Sequence, residues 1–110
     1  MSDKHILKGS LQAIILQLLT EQDRMYGYEI TQKVKQLTAN ELHLTEGALY
    51  PALHKLESEG FLEAEVEVVE NRVRKYYKLT SEGKTEAANK ALALLESFRQ
   101  ITQLLQIKPL

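Results

Sequence analysis

A chain of 110 residues and 12.6 kDa is the size of one ordinary domain. Its 44% hydrophobic and 26% charged residues give a globular balance, and the absence of cysteine excludes a disulfide scaffold, a thiolate metal site and a Cys nucleophile. A net charge of −1 argues against nonspecific coating of nucleic acid, but it leaves room for a compact basic surface. No apolar run approaches the roughly 18 residues of a membrane-crossing helix, and the opening Met-Ser-Asp-Lys-His has no signal-peptide layout. A cytoplasmic protein with no membrane partner is expected.

In chain order, Leu7, Leu11, Ile14, Ile15, Leu18 and Leu19 follow the spacing of one helix face, with Ser10 as a candidate cap. A second helix is predicted from about Tyr26 to Leu37, turning Ile30, Val34 and Leu37 inward and ending at Thr38-Ala39-Asn40. Tyr26 and Tyr28 are expected to pack the first two helices together. A third helix starts at Thr45, a good N-cap, with Glu46 in the first turn where the helix dipole favours an acid. Leu49, Ala52, Leu53 and Leu56 form its inward stripe, and Gly60 stops it. Pro51 lies inside; its ring meets the carbonyl four residues back at Gly47, where the backbone is most adaptable. The alternative start is Pro51 itself, as the first helical residue.

Residues 61–69 then alternate, with Leu62, Ala64, Val66 and Val68 on one face and Glu63, Glu65 and Glu67 on the other. Glu70-Asn71-Arg72 reads as a turn and Val73 to Leu79 as the return strand. Charges are sharply sorted along this hairpin. Residues 57–70 hold six acids and no base, whereas residues 71–79 hold four bases and no acid. Cross-strand charge pairs are therefore expected. Alternation puts Arg72, Arg74 and Lys78 on one face with Tyr76, and Lys75 on the other with Tyr77. Both tyrosines read as packing residues.

Thr80 caps a last helix of about 25 residues, with Glu82 in its first turn and Pro109 near the end of the chain. Ala87, Ala91, Leu94, Phe98, Ile101 and Leu105 repeat at 4, 3, 4, 3, 4, the rhythm of a coiled-coil seam. Ala88, Leu92 and Leu95 form a second stripe. A helix of about 37 Å outruns a core of three short helices and a hairpin, so this seam predicts a homodimer.

The element order predicts a mainly α fold with a two-stranded β wing (α+β). It is that of a winged helix-turn-helix over residues 1–80 and a dimerisation helix over residues 81–110. In such folds the second helix of the motif enters the major groove of DNA. Candidate DNA contacts are Thr45, Glu46, Tyr50, His54 and Lys55 on that helix and Arg72, Arg74 and Lys75 on the wing. Set against them are a solvated helix face and a hairpin whose cations merely balance its own glutamates. Lys33 and Lys35 read as solvated. Gly47 fits either accommodation of Pro51 or close backbone approach.

Three blocks resemble one family, the PadR-type transcriptional regulators: Tyr26-Gly27-Tyr28-Glu29-Ile30; Thr45-Glu46-Gly47-Ala48-Leu49-Tyr50-Pro51-Ala52-Leu53 with Lys55-Leu56-Glu57 and Gly60; and Arg74-Lys75-Tyr76-Tyr77-Lys78-Leu79-Thr80 with Gly83. The resemblance implies a dimeric winged-helix repressor that releases operator DNA when a small effector binds. The single C-terminal helix is similar to the short subfamily, whose members include regulators of phenolic-acid and multidrug responses. The resemblance thus implies a small planar hydrophobic or phenolic effector. Family wings usually carry Gly and Pro around the tip, where this chain has Asn71 and Val73. Multidrug-binding members commonly place Trp on the last helix, where this chain has Phe98, which is either the ligand-binding aromatic or a filled core position.

His5, His43 and His54 fall on different elements with no metal-ligand spacing. No activated nucleophile, paired-carboxylate site or phosphate-cradling loop can be assembled, so neither an enzyme nor a cofactor is expected. The competing function is a winged-helix protein-interaction module that does not bind DNA.

Overall fold

The structure is a computed structural model that describes residues 9–106; the expectations placed on Leu7, His5, Pro109 and the first residues lie outside the described residues. Its elements are α1 (Leu11–Glu21), β1 (Met25–Tyr26), α2 (Gly27–Leu37), α3 (Glu46–Ser58), β2 (Leu62–Val69), β3 (Arg72–Leu79) and α4 (Ser81–Leu105). Among the described residues, four helices and a small antiparallel sheet, ordered β1-β3-β2, form an α+β winged-helix architecture.

α1 is the central helix. It buries Ala13, Ile15, Leu16, Leu18 and Leu19 because it is covered on two sides, by α3 and β3 on one and by α4 on the other. That explains why its apolar surface is broader than a single amphipathic stripe. Ser10 occupies the N-cap position in helical geometry, with its carbonyl accepting the Ile14 amide at 3.0 Å and no capping hydrogen bond to its side chain. α2 adds Ile30 and Val34 to the core. Leu37 shares their face but is exposed, because the core ends one turn earlier. Thr38 then turns the chain: its hydroxyl donates to the Val34 carbonyl at 2.8 Å and accepts the Leu42 amide at 3.1 Å. Ala39 and Asn40 follow with φ of 49° and 67°.

α3 is one helix that includes Pro51, beginning after Thr45, whose Oγ1 accepts the Ala48 amide at 3.2 Å. Leu49, Leu53 and Leu56 are fully buried. At its end Gly60 takes φ 85°, and the Gly60 and Phe61 amides donate to the Glu57 and Leu56 carbonyls, which closes the helix in a Schellman motif.

In the hairpin, Leu62 faces Leu79 and Val69 faces Arg72. The turn is therefore just Glu70-Asn71, with φ of 51° and 64°, and β3 begins at Arg72 rather than Val73. Two left-handed residues match the right-handed twist of the strands they join. Leu62 and Tyr77 reach the core from one sheet face, while the outer reach of that face, Val66, Val68 and Val73, is exposed. β1 was not expected; it lies against β3, with Met25 opposite Tyr77 and Tyr26 opposite Tyr76.

α4 is fastened to the end of α3. Thr80 Oγ1 accepts the Gly83 amide at 3.0 Å and donates to the Gly60 carbonyl at 2.6 Å, and the Thr80 amide donates to the Phe61 carbonyl at 3.1 Å. Gly83 lies so close to the Phe61 carbonyl that any β-carbon would collide with it.

Candidate nucleic-acid interface

Burial of the Leu49/Leu53/Leu56 stripe forces the opposite side of α3 outward. Thr45, Glu46, Gly47, Ala48, Tyr50, Pro51, His54 and Lys55 are all exposed there. The Tyr50 and His54 rings lie 6.4 Å apart, one turn from each other. Tyr50 leans back along the helix, with its hydroxyl over Gly27 in the space a β-carbon there would need. Partial burial is the main reason its phenol is held above the usual tyrosine range, with Glu46 adding to the effect. A β-carbon at Gly47 would meet no described atom within 4 Å outside the nearby backbone of its own helix, so close packing against another element does not require the glycine.

The wing splits the predicted cations into different situations. Lys75, on the α3 side, approaches Glu57 at 3.7 Å and lies 5.3 Å from the Tyr77 ring centre. Arg72, at the exposed start of β3, has no ion pair among the described residues. Arg74 stacks over the Tyr26 ring at 4.5 Å and also makes none among the described residues. The hydrogen bond to Tyr76 is the main influence that raises its pKa.

The outer sheet face carries a residue that the sequence pattern does not single out. Arg24 forms an ion pair with Glu67 at 2.7 Å, approaches Glu65 at 3.8 Å and covers the Tyr76 ring at 4.0 Å. Tyr76 in turn meets Tyr26 edge to face, with ring centres 5.4 Å apart. Arg24, Tyr76, Tyr26 and Arg74 thus form a continuous stack across β1 and β3. The hydrogen bond from Arg24 holds the Glu67 carboxyl below the usual carboxylate range and raises the Arg24 pKa in return. Lys78 binds the other carboxylate, Glu65, at 3.5 Å. Tyr26 serves this stack rather than a helix–helix contact, and Tyr28 is exposed. The signal for Arg24 was a lone arginine two residues before Tyr26, which the topology lays beside the basic strand. It was invisible without β1.

The six residues of the predicted α4 seam do not share one environment. Ala87 is 3% exposed and belongs to the core of its own chain. Ala91 and Leu94 are half-buried, with Leu94 beside Gly9 and Ala13 at the start of α1. Phe98, Ile101 and Leu105 are exposed. Toward the middle of α4 the exposed apolar positions are instead those of the second stripe, where Leu92 and Leu95 are 66% and 63% exposed. Among the described residues no group of three or more His, Asp or Glu is placed to hold a metal ion, and no helix is long and apolar enough to cross a membrane.

The Transcriptional regulator PadR-like family matches residues 15–89 of this chain. "Uncharacterized protein X" of Lysinibacillus sphaericus is 42% identical over 80 residues, 72% of each chain. The transcriptional regulator Rv3488 of Mycobacterium tuberculosis is 33% identical over 79 residues, 72% of this chain and 71% of that one. A solved transcriptional regulator from Clostridium thermocellum superposes with a TM-score of 0.74 at 30% identity, covering 89% of this chain and 91% of the other.

Proposed function

The chain belongs to the PadR-like family of transcriptional regulators, and from that premise we propose a dimeric, sequence-specific DNA-binding repressor released by a small effector. The observation that carries DNA binding is the pairing of two surfaces. The exposed Tyr50/His54/Lys55 face of α3 belongs to the same small head as a wing whose Arg72 and Arg74 are bound to no carboxylate among the described residues. α3 supplies base contacts in the major groove, and the wing arginines supply phosphate contacts beside it. Residues 1–80 act as the DNA-binding unit. Residues 81–110 join two copies through the exposed apolar face of α4, which spaces the half-sites about one helical turn, roughly 34 Å, or a multiple of it apart.

The effector, a planar hydrophobic or phenolic compound, enters between the two α4 helices at Phe98, an exposed aromatic on the apolar face. Differential affinity for two arrangements of the heads then lowers operator affinity, typically by about 1–3 kcal/mol of coupling.

The test is a gel-shift and salt titration against the promoter duplex of its own gene. The expected result is tight binding by the dimer with a negative slope of log affinity against log salt. Arg72→Ala with Arg74→Ala should flatten that slope by about 0.9 for every phosphate no longer neutralised, on every sequence. His54→Ala should change preference at particular base pairs by about 1–3 kcal/mol. No binding at low salt, or an unchanged slope in the double arginine variant, overturns the assignment.

A further inference from the structure

Glu67 sits directly across the hairpin from Arg74. Opposite charges in that position pair by default, and a paired Arg74 would be of little use to a phosphate. In this chain the pairing does not occur. Arg24, supplied from outside the hairpin, takes Glu67 at 2.7 Å, while Arg74 lies over the uncharged face of Tyr26 at 4.5 Å. Arg24 is itself fully engaged, with Glu65 as a second carboxylate and the Tyr76 ring beneath it. Around Glu65 and Glu67, the two carboxylates are met by Arg24 and Lys78, and neither Arg72 nor Arg74 forms an ion pair among the described residues.

We propose that Arg24 is a positioning residue for DNA binding: by occupying Glu67 it keeps the wing's own Arg74 uncommitted and presented to a DNA phosphate. The inference rests on the DNA-binding reading above and adds a residue that need not touch DNA at all. Tyr26 is the second part of the device. It gives Arg74 a platform that orders the side chain by cation–π contact without neutralising it. The strand pairing of β1 with β3 brings both parts to the wing.

The experiment is a double-variant cycle on the full chain, using the same promoter duplex. Arg24→Ala should weaken binding roughly tenfold and make the salt slope shallower by about 1.8 for a dimer, since Glu67 recaptures one Arg74 in each subunit. Glu67→Gln alone should bind at least as tightly as the unmodified chain. Glu67→Gln in the Arg24→Ala background should restore affinity and slope, which a general collapse of wing structure would not permit. Binding unaffected by Arg24→Ala, or a weakening that Glu67→Gln fails to rescue, overturns the proposal while leaving DNA binding standing.

A readout without DNA keeps the two claims separable. By NMR titration, the Glu67 carboxyl should stay below the usual range in Arg24→Ala, because Arg74 replaces the missing partner. It should return to the ordinary range only when Arg24→Ala is combined with Arg74→Ala. An ordinary Glu67 in the single variant shows that Arg74 does not compete for it, and the proposal falls.

Discussion

The two halves of α4 carry the same apolar rhythm and meet opposite fates. In the nearer half, Gly83 and Ala87 are buried in the head, and Ala91 and Leu94 are half-covered. In the farther half, Phe98, Ile101, Leu104 and Leu105 stand exposed, and Leu95 opens the same surface from the second stripe. A repeat of 4 and 3 states that a face is apolar. It does not state whether the chain's own α1 or another molecule will cover it. The near half stabilises the head, whereas the far half has no cover within the described residues.

The largest effect should come from the near half. Gly83→Ala forces a β-carbon into the Phe61 carbonyl, with backbone rather than a flexible side chain in the way. A destabilisation of about 3 kcal/mol in urea denaturation is expected, with the whole head affected. The far half should respond in the opposite manner. Leu95→Asp with Ile101→Asp touches two exposed positions, so the melting of the isolated head should be kept while sedimentation shows dissociation to monomer. Leu95 replaces Leu94 as the informative site, because Leu94 borders α1 and its removal would mix folding with assembly. If the variant remains dimeric at micromolar concentration, the far half is not the interface and the contrast between the halves disappears. The smallest effect lies at the boundary. Lys90→Ala removes the Glu86–Lys90 pair, one helical turn long at 3.4 Å, and should cost about 0.3 kcal/mol, measured as a slight shift of the urea midpoint.

What could be read before the fold was known, and what could not, follows from the range of the interactions involved. Thr45 and Thr80 declared their helices because a cap is a contact over three residues. The face assignment of the wing followed from alternation, and the register puts Arg72, Arg74 and Lys78 on one side with Tyr76, as read. β1 escaped because two residues have no period, and their strand character comes entirely from lying beside β3. With β1 went Arg24, and with Arg24 went the true partner of Glu67. Charge sorting rightly indicates that the hairpin glutamates need cations, but alternation alone draws them all from the opposite strand. Leu37 was placed on the correct helix face, yet where a core ends along a helix is a property of the neighbours.

The joint between Thr80, Gly83 and the Gly60-Phe61 corner has a mechanical consequence. With two hydrogen bonds across it and no room for even a methyl group, α4 and the end of α3 are held tightly together. α4 is then a lever of 25 residues, about 37 Å long, with the head at one end. A change of about 5° in its inclination carries the opposite end through roughly 3 Å, close to the rise of one base pair. Were two chains gripped by their far halves as proposed, that arm would convert a small change in crossing angle into a translation of each head along the duplex, with no hinge needed between grip and head.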